Sequence, residues 1–162
     1  MNNHNKLFIK SIVLGILLFS GYCFSQLKTI SFEELPSLQQ KDPRNVVIFV
    51  HTDWCSYCKA MLKTTFQDKQ VVELLNNKYY FIDFDAESKK DILFLGKTFK
   101  YKELEKDRGF NELSDYLSYD DDKEMYPRTI FLNAKNEMFY KLDGFINKQK
   151  LRQTLEVILA QK

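Results

Sequence analysis

The chain has 162 residues, 44% hydrophobic, 15% aromatic and 28% charged, enough for the core of one domain and too apolar for a disordered chain. Its 24 basic and 22 acidic residues leave a formal net charge of +2 and are spread along the sequence. No basic stripe marks a nucleic-acid binder.

Lys6 and Lys10 precede the apolar run Ile12-Val13-Leu14-Gly15-Ile16-Leu17-Leu18-Phe19, and Ser20, Gly21, Ser25 and Gln26 follow it. This is the order of a secretory signal, with Cys23 and Ser25 suited to cleavage before Gln26. Residues 1–25 are therefore expected to be a signal peptide and residues 26–162 the exported domain. An uncleaved anchor is the alternative, although the run is short for a membrane span. Tyr22 before Cys23 does not suit lipid attachment. Removing residues 1–25 takes away two lysines and no acids, and leaves Cys55 and Cys58 as the only thiols.

After the leader, residues 26–30 suit a short strand or an extended lead-in. Ser31 and Glu34 have the spacing of a capping box and predict a short helix toward Gln40, with Pro36 awkward inside it. Asp42-Pro43-Arg44-Asn45 is a turn that feeds the apolar, β-branched run Val46 to Val50, which reads as a buried strand. Within a few residues the strand gives way to Asp53-Trp54-Cys55-Ser56-Tyr57-Cys58-Lys59 and a helical pattern expected over residues 56–70.

That order puts Cys55 at a helix start, where unpaired backbone N–H groups and the helix dipole favour a thiolate. Cys58 lies one turn on, so the pair is able to cycle between dithiol and disulfide, Cys55 attacking and Cys58 resolving. Two other readings compete. A structural disulfide across so short a loop constrains the unfolded chain little. A zinc site needs a closed set of N and S ligands, and beyond the leader only Cys55, Cys58 and His51 supply thiol or imidazole. Redox chemistry without a metal or organic cofactor is the favoured reading; an exported chain whose only thiols form one such pair fits an oxidising compartment. Met61 and Phe66, further along the helix, read as core contacts.

Residues 71–75 continue or restart a helix that ends near Asn76-Asn77, and residues 78–85 read as a second buried strand. Two strands around a helix make a right-handed βαβ unit with parallel strands. From Ala86 to Tyr126 the pattern is less regular. A hairpin is expected around Gly96-Lys97, then a helical stretch over residues 111–117 with Leu113, Tyr116 and Leu117 on one side. Asp120-Asp121-Asp122 lacks the glycine and terminal glutamate of a calcium loop and reads as a solvated turn. Residues 128–132 and 137–142 suit an antiparallel hairpin. Asn147 then caps a final helix carrying Leu151, Leu155, Ile158 and Leu159 at helical spacing.

Strand, C-x-x-C, helix, strand, X-Pro, hairpin and terminal helix together resemble the thioredoxin-like superfamily. The chain is similar to exported thioredoxin-family proteins and to the C-terminal domain of the transmembrane thiol:disulfide interchange protein, which carries a similar D-W-C-x-x-C-K stretch. The resemblance implies an α/β thioredoxin-like fold, a central mixed sheet flanked by helices, with residues 86–126 as an insertion before the hairpin. It implies a cis bond at Tyr126-Pro127, which faces the cysteines and, with Trp54, forms a substrate-binding surface. A trans proline on an edge strand is the alternative, as is a Trp54 that merely packs.

The chain departs from the family at Phe49, six residues before Cys55, where many thioredoxins carry a buried acid that helps deprotonate the resolving thiol. His51 and Asp53 are the substitute candidates for proton transfer, and Lys59 reads as a solvated helix charge. The implied activity is an exported, periplasmic thiol:disulfide oxidoreductase, leaning toward reduction of protein disulfides, with protein thiols and disulfides and an upstream redox protein as partners. Oxidase and isomerase directions stay open. So does a thioredoxin-fold binding or chaperone-like module whose cysteines are dispensable.

Overall fold

The computed structural model describes residues 26–106, 108–118 and 125–161. The expected signal peptide and Asp120-Asp121-Asp122 lie outside the described residues. The elements run α1 (Leu35–Lys41), β1 (Asn45–His51), α2 (Ser56–Lys63), α3 (Lys69–Lys78), β2 (Tyr79–Asp85), β3 (Ile92–Phe94), β4 (Lys97–Phe99), β5 (Tyr101–Glu105), β6 (Arg108–Asn111), α4 (Glu112–Leu117), β7 (Arg128–Leu132), β8 (Met138–Asp143) and α5 (Lys148–Ala160). A single 3₁₀ turn, Thr65–Gln67, joins α2 to α3.

The main sheet has the order β2-β1-β7-β8. β1 runs parallel to β2 and antiparallel to β7, which pairs antiparallel with β8. β1 is central and covered on both faces, which is why Val46 to Val50 read as an unbroken apolar run rather than an alternation. Val46, Ile48 and Val50 face one core with Leu35, Phe84 and Leu113, while Val47 and Phe49 face the other with Cys58, Met61, Phe66 and Leu155. Each large apolar side chain so buried contributes roughly 1.5–3 kcal/mol.

Several expectations shift. The helix expected over residues 56–70 stops at Lys63, and the 3₁₀ turn follows. The break lets Phe66 pack edge-on to Phe49, with ring centroids 4.7 Å apart, and against Phe81 at 5.0 Å. Asp68 then restarts the helix by accepting from the N–H groups of Gln70 and Val71. Upstream, Ser31 and Glu34 exchange capping-box hydrogen bonds of 2.8 and 3.2 Å, but the helix proper begins only at Leu35. Pro36 therefore falls in the first turn, where a missing N–H costs nothing. The lead-in forms no strand, although Ile30 donates to the Phe81 carbonyl at 2.9 Å.

Within the insertion, β3 and β4 form a hairpin as expected, but its turn is Leu95-Gly96, one residue earlier than Gly96-Lys97, with both turn residues at positive φ, the geometry of a tight primed turn. A second hairpin, β5–β6, was not expected. In α4, Leu113 and Leu117 enter the core, but Tyr116 stays 46% exposed, its ring 5.1 Å from that of Phe99.

Candidate active site

β1 delivers the chain to the site. After His51 the backbone turns, Cys55 donating its N–H to the Thr52 carbonyl at 3.2 Å, and α2 begins. Cys55 is the N-cap: its backbone is extended, and its Sγ accepts from the Cys58 N–H at 3.1 Å. The sulfurs of Cys55 and Cys58 are bonded, so the structure is the oxidised form. Cys58 is fully buried, whereas Cys55 keeps 5% of its surface exposed. In the dithiol form the same N–H and the helix start would face a Cys55 thiolate and favour it. Only Cys55 has a surface that an outside disulfide could reach.

Exposed aromatic side chains flank Cys55 in sequence, Trp54 before it and Tyr57 after it, and Tyr126 packs against its cluster. Trp54 is 67% exposed, its indole N–H donated to Glu87 at 3.0 Å and its ring edge-on to Tyr126 at 6.0 Å between centroids. The Tyr126–Pro127 peptide bond is cis, and Pro127 is buried. The Tyr126 hydroxyl lies 3.0 Å from that of Ser114 on α4, so the insertion holds the residue before the proline. Pro127 accepts from the Gly144 N–H at 2.8 Å, and the buried Arg128 donates through Nε to Asp143 at 2.6 Å across β7–β8. On the other flank the exposed rings of Tyr57 and Phe145 lie 6.3 Å apart.

Of the two candidates for proton transfer, Asp53 is exposed. His51 stacks on Phe49 at 5.5 Å and pairs with Asp83, Nε2 to Oδ1 3.0 Å. Burial pushes the imidazole toward neutrality, yet the hydrogen bond and charge of Asp83, with Asp85 and Asp53 nearby, outweigh it and raise its pKa. Asp83 stands opposite Phe49 in the parallel register. A carboxylate thus lies one strand over from the position where the resemblance implied one. Lys59 is exposed, as read from the sequence. Among the described residues no three His, Cys, Asp or Glu side chains gather as a metal site.

The structure therefore bonds Cys55 to Cys58, packs Tyr126 against the core cluster that holds them, sets Trp54 against Tyr126, and engages His51 with a carboxylate. Glu87, Ser114 and Asp83 were missed, because each acts through a partner far away in sequence. Arg128 had a signal, a lone charge opening the strand Thr129-Ile130-Phe131-Leu132.

A family model described as a thioredoxin-like domain matches residues 32–158. No curated protein matches. Among solved structures, a thioredoxin from Thermus thermophilus is 18% identical with a TM-score of 0.60, covering 85% of this chain and 90% of its own. A putative disulphide-isomerase from Bacteroides thetaiotaomicron is 19% identical with a TM-score of 0.55, covering 84% and 93%. The reduced C-terminal domain of DsbD from Neisseria meningitidis is 18% identical with a TM-score of 0.51, covering 77% and 90%. At these identities the likeness is one of fold.

Proposed function

Because the chain belongs to the thioredoxin-like domain family, we propose that it is a thiol:disulfide oxidoreductase that reduces disulfides in partner proteins. The observation that carries this reading is the Cys55–Cys58 disulfide at the start of α2, with Cys58 sealed in the core and Cys55 keeping 5% of its surface exposed. In the forward cycle the Cys55 thiolate attacks one sulfur of the partner's disulfide. A mixed disulfide forms and the partner's other sulfur leaves as a thiolate. Cys58 then attacks Cys55 Sγ, closing the intramolecular disulfide and releasing the partner's second sulfur. Two electrons pass to the partner, and the two protons of the dithiol end on its thiols. An upstream redox protein returns the pair to the dithiol.

Trp54, Tyr126 and Pro127 would form the surface against which the partner's chain rests, and His51 or Asp53 would pass the Cys58 proton. The Lys6–Phe19 pattern supports export by a signal peptide spanning residues 1–25, and hence a periplasmic location. Among the described residues no helix is long and apolar enough to cross a membrane.

Turnover of a protein disulfide by residues 26–162 tests the proposal. Cys55→Ser is expected to abolish it. A chain that keeps its turnover without Cys55 would sink the redox reading, and one that binds its partner unchanged with both cysteines as serine would favour a binding module.

A further inference from the structure

Thr129 carries an unpartnered hydroxyl into the core layer that holds the cysteine pair. Directly opposite residues of neighbouring strands share a face of the sheet. Phe49 stands opposite Thr129 and Val47 opposite Phe131, and Phe49, Val47 and Phe131 all lie in the cluster that contains Cys55 and Cys58. Thr129 therefore faces that cluster from β7, two residues after Pro127. It is 0% exposed, and its Oγ1 has no hydrogen-bond partner among the described residues.

A buried hydroxyl left unpaired costs about 1–3 kcal/mol. Solvent does not reach this one, so its partner has to come from within the core. The polar side chains around the cluster are already engaged. The Tyr79 hydroxyl donates to the Leu155 carbonyl at 2.6 Å, Thr65 Oγ1 donates to the Ile146 carbonyl at 2.7 Å, and Met61 Sδ accepts from the Ile146 N–H at 3.3 Å. Phe49, across from Thr129, has no polar atom in its side chain. Of the two sulfurs, Cys55 Sγ accepts the Cys58 N–H. Cys58 Sγ is the group whose hydrogen-bonding capacity is still open, and that capacity changes with oxidation state.

In the disulfide, Cys58 has no proton to donate and no charge to attract one. Reduction breaks the Sγ–Sγ bond with two electrons and two protons, taken from a dithiol donor that is itself oxidised to a disulfide. Cys58 is then a thiol, able to donate to Thr129 Oγ1, or a thiolate, which accepts the Thr129 O–H. Hydrogen bonds to an ionised acceptor are the stronger kind.

We propose that Thr129 is the hydrogen-bond partner of the Cys58 sulfur in the dithiol form and is left unpaired in the disulfide form, so that its hydroxyl biases the pair toward the dithiol. During turnover the Thr129 O–H steadies the Cys58 thiolate until that sulfur attacks Cys55 Sγ, and the hydrogen bond is given up as the disulfide closes. The inference rests on the redox reading of the site and adds a residue that sets the pair's potential.

The test equilibrates residues 26–162 with defined thiol–disulfide buffers and reads the dithiol fraction by alkylation and mass. Thr129→Val removes the hydroxyl at nearly constant shape. It should move the equilibrium about tenfold toward the disulfide, a potential about 30 mV more negative. Thr129→Ser, which retains the hydroxyl, should stay within about twofold of the parent. Urea unfolding is the second readout: valine should raise the midpoint of the disulfide form and lower that of the dithiol form. An unmoved or more positive potential in Thr129→Val, or equal shifts of the two urea midpoints, overturns the inference, because a hydroxyl that serves packing alone acts on both forms alike. A pair that exchanges with no thiol buffer would sink the redox reading itself, whereas one that exchanges at an unchanged potential sinks the role of Thr129 alone.

Discussion

His51 Nε2 stands 3.0 Å from Asp83 Oδ1, bridging the last residue of β1 to the neighbouring parallel strand β2. Although burial acts against the imidazolium, Asp83 and its neighbours raise the pKa of His51 above the ordinary 6.5. A folded-state pKa above the unfolded value means that the pair's contribution is fully present below about pH 6.5 and is lost as pH rises through the raised value. Asp83→Asn should therefore lower stability by about 1 kcal/mol at low pH, Asp83 being partly exposed, and by progressively less above neutrality. Urea unfolding of both proteins from about pH 5.5 to about pH 8.5 checks this. A difference that grows with pH contradicts it.

Asp143 accepts from Arg128, which is 1% exposed. Asp143→Asn leaves the guanidinium buried with a weaker partner at the strand that follows Pro127. A loss of roughly 2 kcal/mol is expected from the urea midpoint, since Arg128 has further contacts and Asp143 is partly solvated.

Ser114 holds Tyr126 from the insertion. Ser114→Ala is expected to cost about 1 kcal/mol and to lower kcat/KM for a protein disulfide about threefold, with a small aromatic disulfide unaffected. Equal losses on both substrates would mean that the contact serves stability alone.

Gly109 has no room for a side chain: a Cβ there would lie 2.2 Å from the Lys102 carbonyl oxygen. Gly109→Ala should open the β5–β6 pairing while the main sheet persists, because the hairpin is a separate sheet. Hydrogen exchange should speed up in residues 101–111 and stay slow in β1 and β7.

Much of this was legible because local chemistry and fold agree. The β-branched run of β1, the cysteine spacing, the Tyr126-Pro127 step and the Asn147 cap are each local signals, and the structure has them in the same order, Asn147 accepting from the Lys150 N–H at 2.9 Å. The broken helix after Lys63 was hidden because Phe66 leaves helical register for a tertiary contact with Phe49 and Phe81. The β5–β6 hairpin was equally obscure. Its strands are short and polar, with Lys102, Glu103 and Glu105 exposed, and the pairing depends on Asn111 reaching back to residues 86–90.

Direction of electron flow has its own readout. Equilibrated with defined thiol buffers, the Cys55–Cys58 pair of a reductase should have a potential near that of thioredoxin, about −270 mV. A value near about −120 mV would mark a disulfide donor instead.

The most direct measurement is the capture of the reaction intermediate. Mixed with a protein disulfide, Cys58→Ser should form a covalent one-to-one adduct through Cys55 that reductant releases, and Cys55→Ser should form none. An adduct through Cys58 in the Cys55→Ser protein, or none with either variant, would contradict the assignment of Cys55 as the attacking thiol.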